Sequence, residues 1–533
     1  MQKHNCLRLI DINSGKFVFP NFVVFSLLFF WSQFVSARQD ENPISYHDGK
    51  LSYRTAENGD RIPDFSYCGY MASEQAIPTI PVKVFIEADG KDATKKIQAA
   101  LDYVGKLPVD KNGFRGSVLL GNGVFEVSGQ LHFSHSGVVL RGSGLGENGT
   151  TLLGTGKTRE TLIRVLGKDD KTFGDTLSIT DAYVPVNANQ FHVKGNAQVG
   201  SQVMVVRPST QEWIDELEMN EFGGETGWIG WKPGGHNQYW YREITAFDNG
   251  QVTLDVPLTN ALGEQYGGGY LVAYQWLGRV EKVGIENLIL KSTYDESNPK
   301  DEDHRWSAIS FENVKDAWVR QVDFKHFAGS AVAIYKTGRR ITVEDCRSLA
   351  PVSEIGGERR NTFFTEGQQT LFQRCYSEYG YHDFSTGLAV AGPNAFVQCK
   401  AYLPYSFSGA QQGWASGVLF DIVRIDGHKL VFKNRMQEGR GAGWTAANSV
   451  FWQCDAAMIE NYSPPTAQNW AFGAWAQFEG DGHWIESNNH IKPRSLYYAQ
   501  LEDRLGELPV DPQLLPMDTE PSTSPTLEQA REL

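Results

Sequence analysis

The sequence predicts an all-β solenoid, a stack of coils each built from short strands, and two observations carry that prediction. The first is a phrase that recurs seven times in the second half of the 533-residue chain: an apolar strand, a polar residue, then a small or apolar one. The copies are IEN-Leu288, VRQ-Val322, VED-Cys346, FQR-Cys375, FVQ-Cys399, LFD-Ile422 and FWQ-Cys454, at steps of 34, 24, 29, 24, 23 and 32 residues. Helical arrays keep a fixed repeat length, whereas solenoid coils tolerate loops of variable size. The second observation is positional. The residue before the apolar one is Asn287, Gln321, Asp345, Arg374, Gln398, Asp421 or Gln453, polar in every copy as a tight turn between strands requires. The next side chain points inward and is cysteine in four copies. Stacking places equivalent positions about 4.8 Å apart, so residues distant in sequence can be assigned to one face.

The elements follow in order. Residues 1–37 read as a secretory signal peptide: Lys3, Arg8 and Lys16, an apolar run through Phe22 to Trp31, and a Val35-Ser36-Ala37 cleavage site. The protein is therefore expected to be secreted or periplasmic, with no membrane span in the mature chain. Residues 38–80 form an N-terminal packing segment around IPDFSYCGY at 62–70. The solenoid is expected over 81–508. It opens with a helix after Asp92, whose Ile97, Leu101 and Val104 share one face and plug the first coil's open edge. GSVLLGNGVFEVSGQLHFSHSGVVLRGSG then reads as strands separated by glycine turns. At about 204–275 the rhythm breaks in a Trp-rich insertion holding Trp213, Trp228, Trp231 and Trp240, with Trp276 just beyond. Exposed, these rings would suit sugar faces; buried, they would pack an irregular insert. SLYYAQLEDRLGEL at 495–508 has helical apolar spacing and is expected to cap or strap the far end. Residues 509–533, rich in Pro, Ser, Thr and Glu, read as a disordered tail.

Composition narrows the function. A net charge of −14 argues against nucleic acid and anionic membranes as partners. A polyanionic polysaccharide would need a local basic patch. Six cysteines in an exported chain raise a disulfide framework, but four occupy the inward repeat position, which favours a stacked, reduced ladder. GTGKT at 154–158 and RGSGLG at 141–146 lack the following helix that phosphate binding needs. HExxH, GxSxG and CxxC are absent from the sequence.

The basic patch is found before one strand of successive coils. Asp303, His304, Arg305 and Trp306 lead into SAIS; Lys325 and His326 into SAVAI; Glu358, Arg359 and Arg360 into TFF; Tyr381, His382 and Asp383 into FSTG. Gln411, Gln412 and Trp414 precede ASGVLF and are read as the fifth member. Stacked, these clusters form one stripe. The acidic loop YDESNPKDED at 294–303 offers carboxylates for Ca²⁺, although a mobile surface loop reads better.

At this point the chain resembles the pectate-lyase-like superfamily of secreted right-handed parallel β-helix proteins. The resemblance rests on DGKDATKKIQAAL, GSVLLGNGVFEV, GVVLRGSG and the ITVEDC-type repeats, and covers roughly residues 80–490. GGERRNTFFTEGQQTLFQRCYSEYGYHDF and AGPNAFVQC are similar to an uncharacterised branch of it. The resemblance implies a single-stranded right-handed parallel β-helix, a scaffold that hosts lyases, hydrolases, epimerases and phage adhesins. Calcium is a possible cofactor of such enzymes, but no calcium aspartates match residue by residue, and the metal site stays unassigned. The paired aspartates and Gly-His-Gly of the polygalacturonase-like hydrolases are missing from the repeats; the only Asp-Asp is Asp169-Asp170.

The leading expectation is a polysaccharide lyase that cleaves a uronic-acid polymer by β-elimination and acts as a monomer. Elimination needs a cation on the carboxylate, a base near C5 and a donor for the leaving oxygen. Arg359 and Arg360 are expected to neutralise the carboxylate, His382 oriented by Asp383 to act as base, and His326 or Tyr381 to donate. Lys325, Lys336, His304, Arg305, Trp306, Glu354, Gln412 and Trp414 are expected to hold neighbouring sugars. The alternatives are a glycoside hydrolase pairing Glu354 or Glu366 with Asp383, and a non-catalytic glycan-binding solenoid.

Overall fold

The computed structural model describes residues 42–222 and 229–514; the expected signal peptide and residues 515–533 of the expected tail lie outside them. In the solenoid each strand pairs in parallel with the equivalent strand of the next coil, mostly two or three strands on in the chain, and the expected parallel β-helix is what forms. Each full coil contributes a strand to three ladders. The inward column of the first ladder runs Val84, Val118, Leu140, Ile285, Val319, Val343, Phe372, Phe396, Phe420, Phe451, Ala471 and Trp484. Phe372, Phe396 and Phe420 stack with ring centroids 4.9 and 4.8 Å apart, the coil spacing itself. These identical apolar positions build one continuous core, so each coil buries its neighbours rather than a centre of its own.

Beyond that column the chain bends through a left-handed residue: Asn287, Gln321, Asp345, Arg374, Gln398 and Gln453 all have φ between 48° and 58°. The sixth copy differs from the sequence reading by one residue. Phe420 pairs with Phe396 and Asp421 with Val397, so Ile422, at φ 57°, makes the turn and Val423 points inward. A β-branched residue there costs about 1–2 kcal/mol, which is why the sequence pattern selects Asp421 instead. The structure uses Asp421 elsewhere: its carboxylate accepts Ser495 Oγ at 2.5 Å and the Tyr497 N–H at 2.8 Å, at the start of the helix Leu496–Leu505.

Cys346, Cys375, Cys399 and Cys454 occupy the inward position after the turn. Each thiol points at a carbonyl of the preceding coil, at 3.2–3.8 Å. None of the described cysteines is joined in a disulfide. The helix Thr94–Gly105 buries Ile97, Leu101 and Val104 against the first coils, with Asp92 accepting the Thr94 N–H at its start. At the outer face of the first ladder, Leu496, Tyr497 and Leu501 pack with Ile62, Phe65 and Cys68 of the N-terminal segment over Leu371, Val397, Leu419 and Trp452. That face is therefore closed by the two ends of the described chain.

The insertion begins earlier than the expected 204. Its six-stranded antiparallel sheet runs Thr172–Ser178, Tyr270–Gln275, Gln202–Arg207, Gln238–Asp248, Gln251–Leu254, Gln190–His192 in spatial order. Thr172–Ser178 is exposed along nearly its whole length and carries no apolar face to mark it in sequence. Trp240 is buried within the sheet, while Trp213 and Trp231 are buried with Trp414 of the solenoid. The Trp213 and Trp414 centroids are 4.7 Å apart, edge to face. These rings dock the insertion and are closed to sugar; Trp228 lies outside the described residues.

Candidate functional site

The segments that carry four of the five predicted clusters stack, with Lys325 itself set apart on the second ladder. Ala308 N–H donates to Ser330 O, Ala331 N–H to Thr362 O and Tyr381 N–H to Arg360 O, and Asn361 pairs with His382. The fifth does not belong. Gln411, Gln412 and Trp414 follow the third-ladder strand Ser408–Ala410 and lead into the first ladder. Ser-Gly-Ala offers no bulky side chain to recognise, so the apolar run after it is taken for its coil's third-ladder strand.

The fold consumes most of the stripe's charge. Arg305, 1% exposed, donates to Glu160 at 3.0 Å and to the Gly129 carbonyl at 2.7 Å. His304 is buried between Ser292 Oγ and the carbonyls of Asp301 and Val352. Neither side chain can hold a sugar from there. Arg359 forks onto Glu302, which also takes Arg159 at 3.0 Å, and Trp306 lies against both guanidiniums. Arg360 is buried and spends its donors on Ser353 Oγ, Ser353 O and Tyr379 O. Glu354 is exposed and pairs with Lys300 at 2.9 Å. Lys325 stands beside Lys291 on the outer face of the second ladder, apart from the rest. His326 Nδ1 lies 3.3 Å from Ser292 O, and burial lowers its pKa.

The expected His382–Asp383 pair is not formed. His382 is 4% exposed, its ring packs against Tyr381 and Phe407, and Nδ1 donates to Phe407 O at 2.7 Å. Burial pushes its pKa down to about 4. Asp383 turns the other way, into the coil interior, where Oδ1 accepts Ser377 Oγ and burial pushes the carboxyl up to about 6. Asp383 therefore cannot share a surface site with Glu354 or Glu366, and Trp414, fully buried, cannot meet a ligand.

The structure instead brings ionisable groups together at the far edge of the third ladder. Its outer column is Ser310, Ala333, Phe364, Ser385 and Gly409, small in four coils of five. Just past the paired Phe311, Ile334, Thr365, Thr386 and Ala410 come Glu312, Tyr335, Glu366, Gly387 and Gln411, a second column along the same edge. Lys336 and Gln412 follow in the next position, and both are exposed. Glu366 lies over Gly387, where an added Cβ would come within 2.5 Å of Glu366 Cγ. Burial raises the Glu366 pKa against the opposing pull of Lys336 and the Leu388 N–H. Tyr335, 40% exposed, has its phenol pKa raised by burial and then by the charges of Glu366 and Glu312. Arg164 pairs with Glu312 at 3.6 Å. From the insertion, His236 stacks on Trp231 at 3.7 Å against Gly413, and burial, with Lys336, holds it down to about 4.

Lys336 and Glu366 were both expected from sequence at separate tasks. Tyr335, Glu312 and Arg164 were not; the signal for Tyr335 was its position as the first polar residue after the buried strand Val332–Ile334. For calcium the residues do not fit. Asp295 accepts Ser297, Asp301 accepts the N–H groups of Asp295 and Asp303, and no three His, Cys, Asp or Glu among the described residues converge on a metal position. No described helix is long and apolar enough to cross a membrane.

No curated protein sequence matches the chain. A family model described as a domain of unknown function, DUF6298, matches residues 482–533, which include the helix Leu496–Leu505. Among solved structures, the tailspike protein gp49 from Pseudomonas phage LKA1 is similar at 11% identity over 74% of this chain and 71% of that one, with a TM-score of 0.40. The A-module of the Azotobacter vinelandii mannuronan C-5 epimerase AlgE6 gives 11%, 74%, 73% and 0.32, and PfbA, a surface adhesin of Streptococcus pneumoniae, 11%, 74%, 76% and 0.34. The functional reading therefore rests on the residues of this chain.

Proposed function

We propose that the protein acts on an acidic polysaccharide at the far edge of the third ladder, cleaving a uronic-acid linkage by β-elimination. The observation that carries this is the adjacency of Tyr335, Lys336 and Glu366 in two neighbouring coils, on an edge that the clasp at the first ladder leaves alone. Lys336 sets its charge against the sugar carboxylate and stabilises the enolate as it develops. Glu366, whose raised pKa makes it a stronger base than an ordinary glutamate, takes the C5 proton. The C5–H electrons form the C4–C5 double bond and the C4–O bond breaks. Tyr335, kept protonated by its surroundings, gives its proton to the leaving oxygen.

A second reading is favoured by one observation: Glu366 and Glu312 stand two coil steps apart, about 9.6 Å along the stack. That is close to the roughly 6.5–9.5 Å between carboxyls that an inverting glycoside hydrolase needs. The two chemistries separate cleanly. Elimination leaves an ultraviolet-absorbing unsaturated uronate, whereas hydrolysis leaves only reducing ends. Their pH limbs also run oppositely. A basic Glu366 gives a rate that climbs as pH rises through its raised pKa; an acidic Glu366 gives one that falls there.

The test is ultraviolet absorbance and reducing-end release over a panel of uronic-acid polysaccharides, comparing wild type with Glu366→Gln and Tyr335→Phe. Elimination predicts a rise that Glu366→Gln cuts by about 10²–10⁴-fold. Reducing ends without absorbance select hydrolysis. Binding without turnover on every polymer selects a glycan-binding solenoid.

A further inference from the structure

Between the insertion and the solenoid lies a cleft of about 850 Å³, open to solvent, that the proposed catalytic edge does not use. Phe173, 54% exposed, and Leu277, 90% exposed, stand at its apolar side, and Arg279, Lys315 and the carboxylate of Glu281 line the solenoid side. Arg279 is the unusual group. It is only 8% exposed, its guanidinium lies against Trp276 at 4.6 Å and Tyr241 at 5.5 Å, and its Nε is buried with no hydrogen-bond partner. Nη2 donates to the carbonyls of Val314 and Thr337, both neutral. Lys315, by contrast, reaches Glu281 at 3.6 Å and Asp316 at 3.9 Å. A buried guanidinium held by carbonyls and rings is a costly arrangement that an incoming carboxylate relieves.

Thr337 supplies the link to the catalytic edge. It directly follows Tyr335 and Lys336, so the carbonyl that anchors Arg279 continues the strand end carrying the proposed acid and cation. We propose that this cleft is a second saccharide subsite, which takes a carboxylated sugar of the same chain several units from the cleaved bond. Arg279 faces the carboxylate, and Phe173 and Leu277 face the apolar side of the ring. The identity of the ligand rests on the polysaccharide reading above; the existence of the site does not.

The experiment measures binding of uronic-acid oligomers of increasing length by calorimetry in the Glu366→Gln protein, with neutral oligomers of equal length as controls. Affinity is expected to rise once the oligomer spans from Lys336 into the cleft, and Arg279→Gln or Phe173→Ala is expected to remove that rise, about tenfold, while short oligomers bind as before. Equal affinity for long and short oligomers, or for acidic and neutral ones, overturns the proposal. So does an unchanged length dependence in a folded Arg279→Gln protein; if that variant does not fold, Phe173→Ala decides. Wild-type turnover without length dependence defeats the cleft alone. Length-dependent binding lost in the cleft variants, without turnover of any polymer, defeats the catalytic reading alone.

Discussion

At the scale of single residues, the buried carboxyls make pH the most informative variable. Asp421 sits in the interior with Oδ1 unpartnered, and burial pushes its pKa up from 3.8 to about 7 despite the Ser495 and Tyr497 donors. The unfolded chain loses this proton near the ordinary value, so stability is full below about pH 4 and declines as pH rises towards 7. Each tenfold change in proton affinity is 1.36 kcal/mol, which puts the cost above neutrality on the order of 4 kcal/mol. Asp421→Asn is expected to raise the melting temperature at pH 8 and to leave it nearly unchanged at pH 4; a loss at pH 8 would mean the charge is needed at the helix start. His382 belongs to the same argument. With its imidazole donating to Phe407 O inside the fold, His382→Ala is expected to cost roughly 2–4 kcal/mol of stability. Turnover per folded molecule should hold; a specific loss of kcat with unchanged melting would restore it as the base.

At the scale of elements, the solenoid was legible because its signal repeats. Six of the seven turn residues and the four inward cysteines stand where the period places them, since one mispaired coil would expose every side chain after it. What escaped the pattern did so for local reasons. Ile422 breaks the turn rule at a strained residue, Ser408–Ala410 carries no bulk, and the edge strand Thr172–Ser178 carries no apolar face. The stripe of His and Arg was located along the stack, but composition does not tell whether a charge faces water or a carbonyl, and Arg305, Arg360 and His304 face carbonyls. The tryptophans show the same ambiguity resolved towards packing. Trp414→Ala is expected to open a cavity beneath Trp213 and Trp231 and to cost about 3–5 kcal/mol. The insertion should then become sensitive to protease around Gln211–Glu216 before the solenoid unfolds. Simultaneous loss of both would show that insertion and solenoid unfold as one unit.

At the scale of the whole molecule, an acidic protein that acts, as proposed, on an acidic polymer faces two opposing fields. The net charge of −14 repels the chain at a distance, while on the proposed reading Lys336 and Arg279 attract its carboxylates at contact. Salt separates these ranges because the screening length falls from about 30 Å at 0.01 M to about 10 Å at 0.1 M and about 3 Å at 1 M. The first change removes most of the long-range repulsion and leaves contact pairs nearly intact. The second weakens the contacts themselves. The value of kcat/KM on a uronic-acid polymer is therefore expected to rise between 0.01 and about 0.1 M salt and to fall towards 1 M. Lys336→Gln should flatten the falling limb, since the screened contact is gone, and leave the rising limb in place. A monotonic decline from the lowest salt would instead place the attraction at long range, in a basic surface larger than this edge and its cleft.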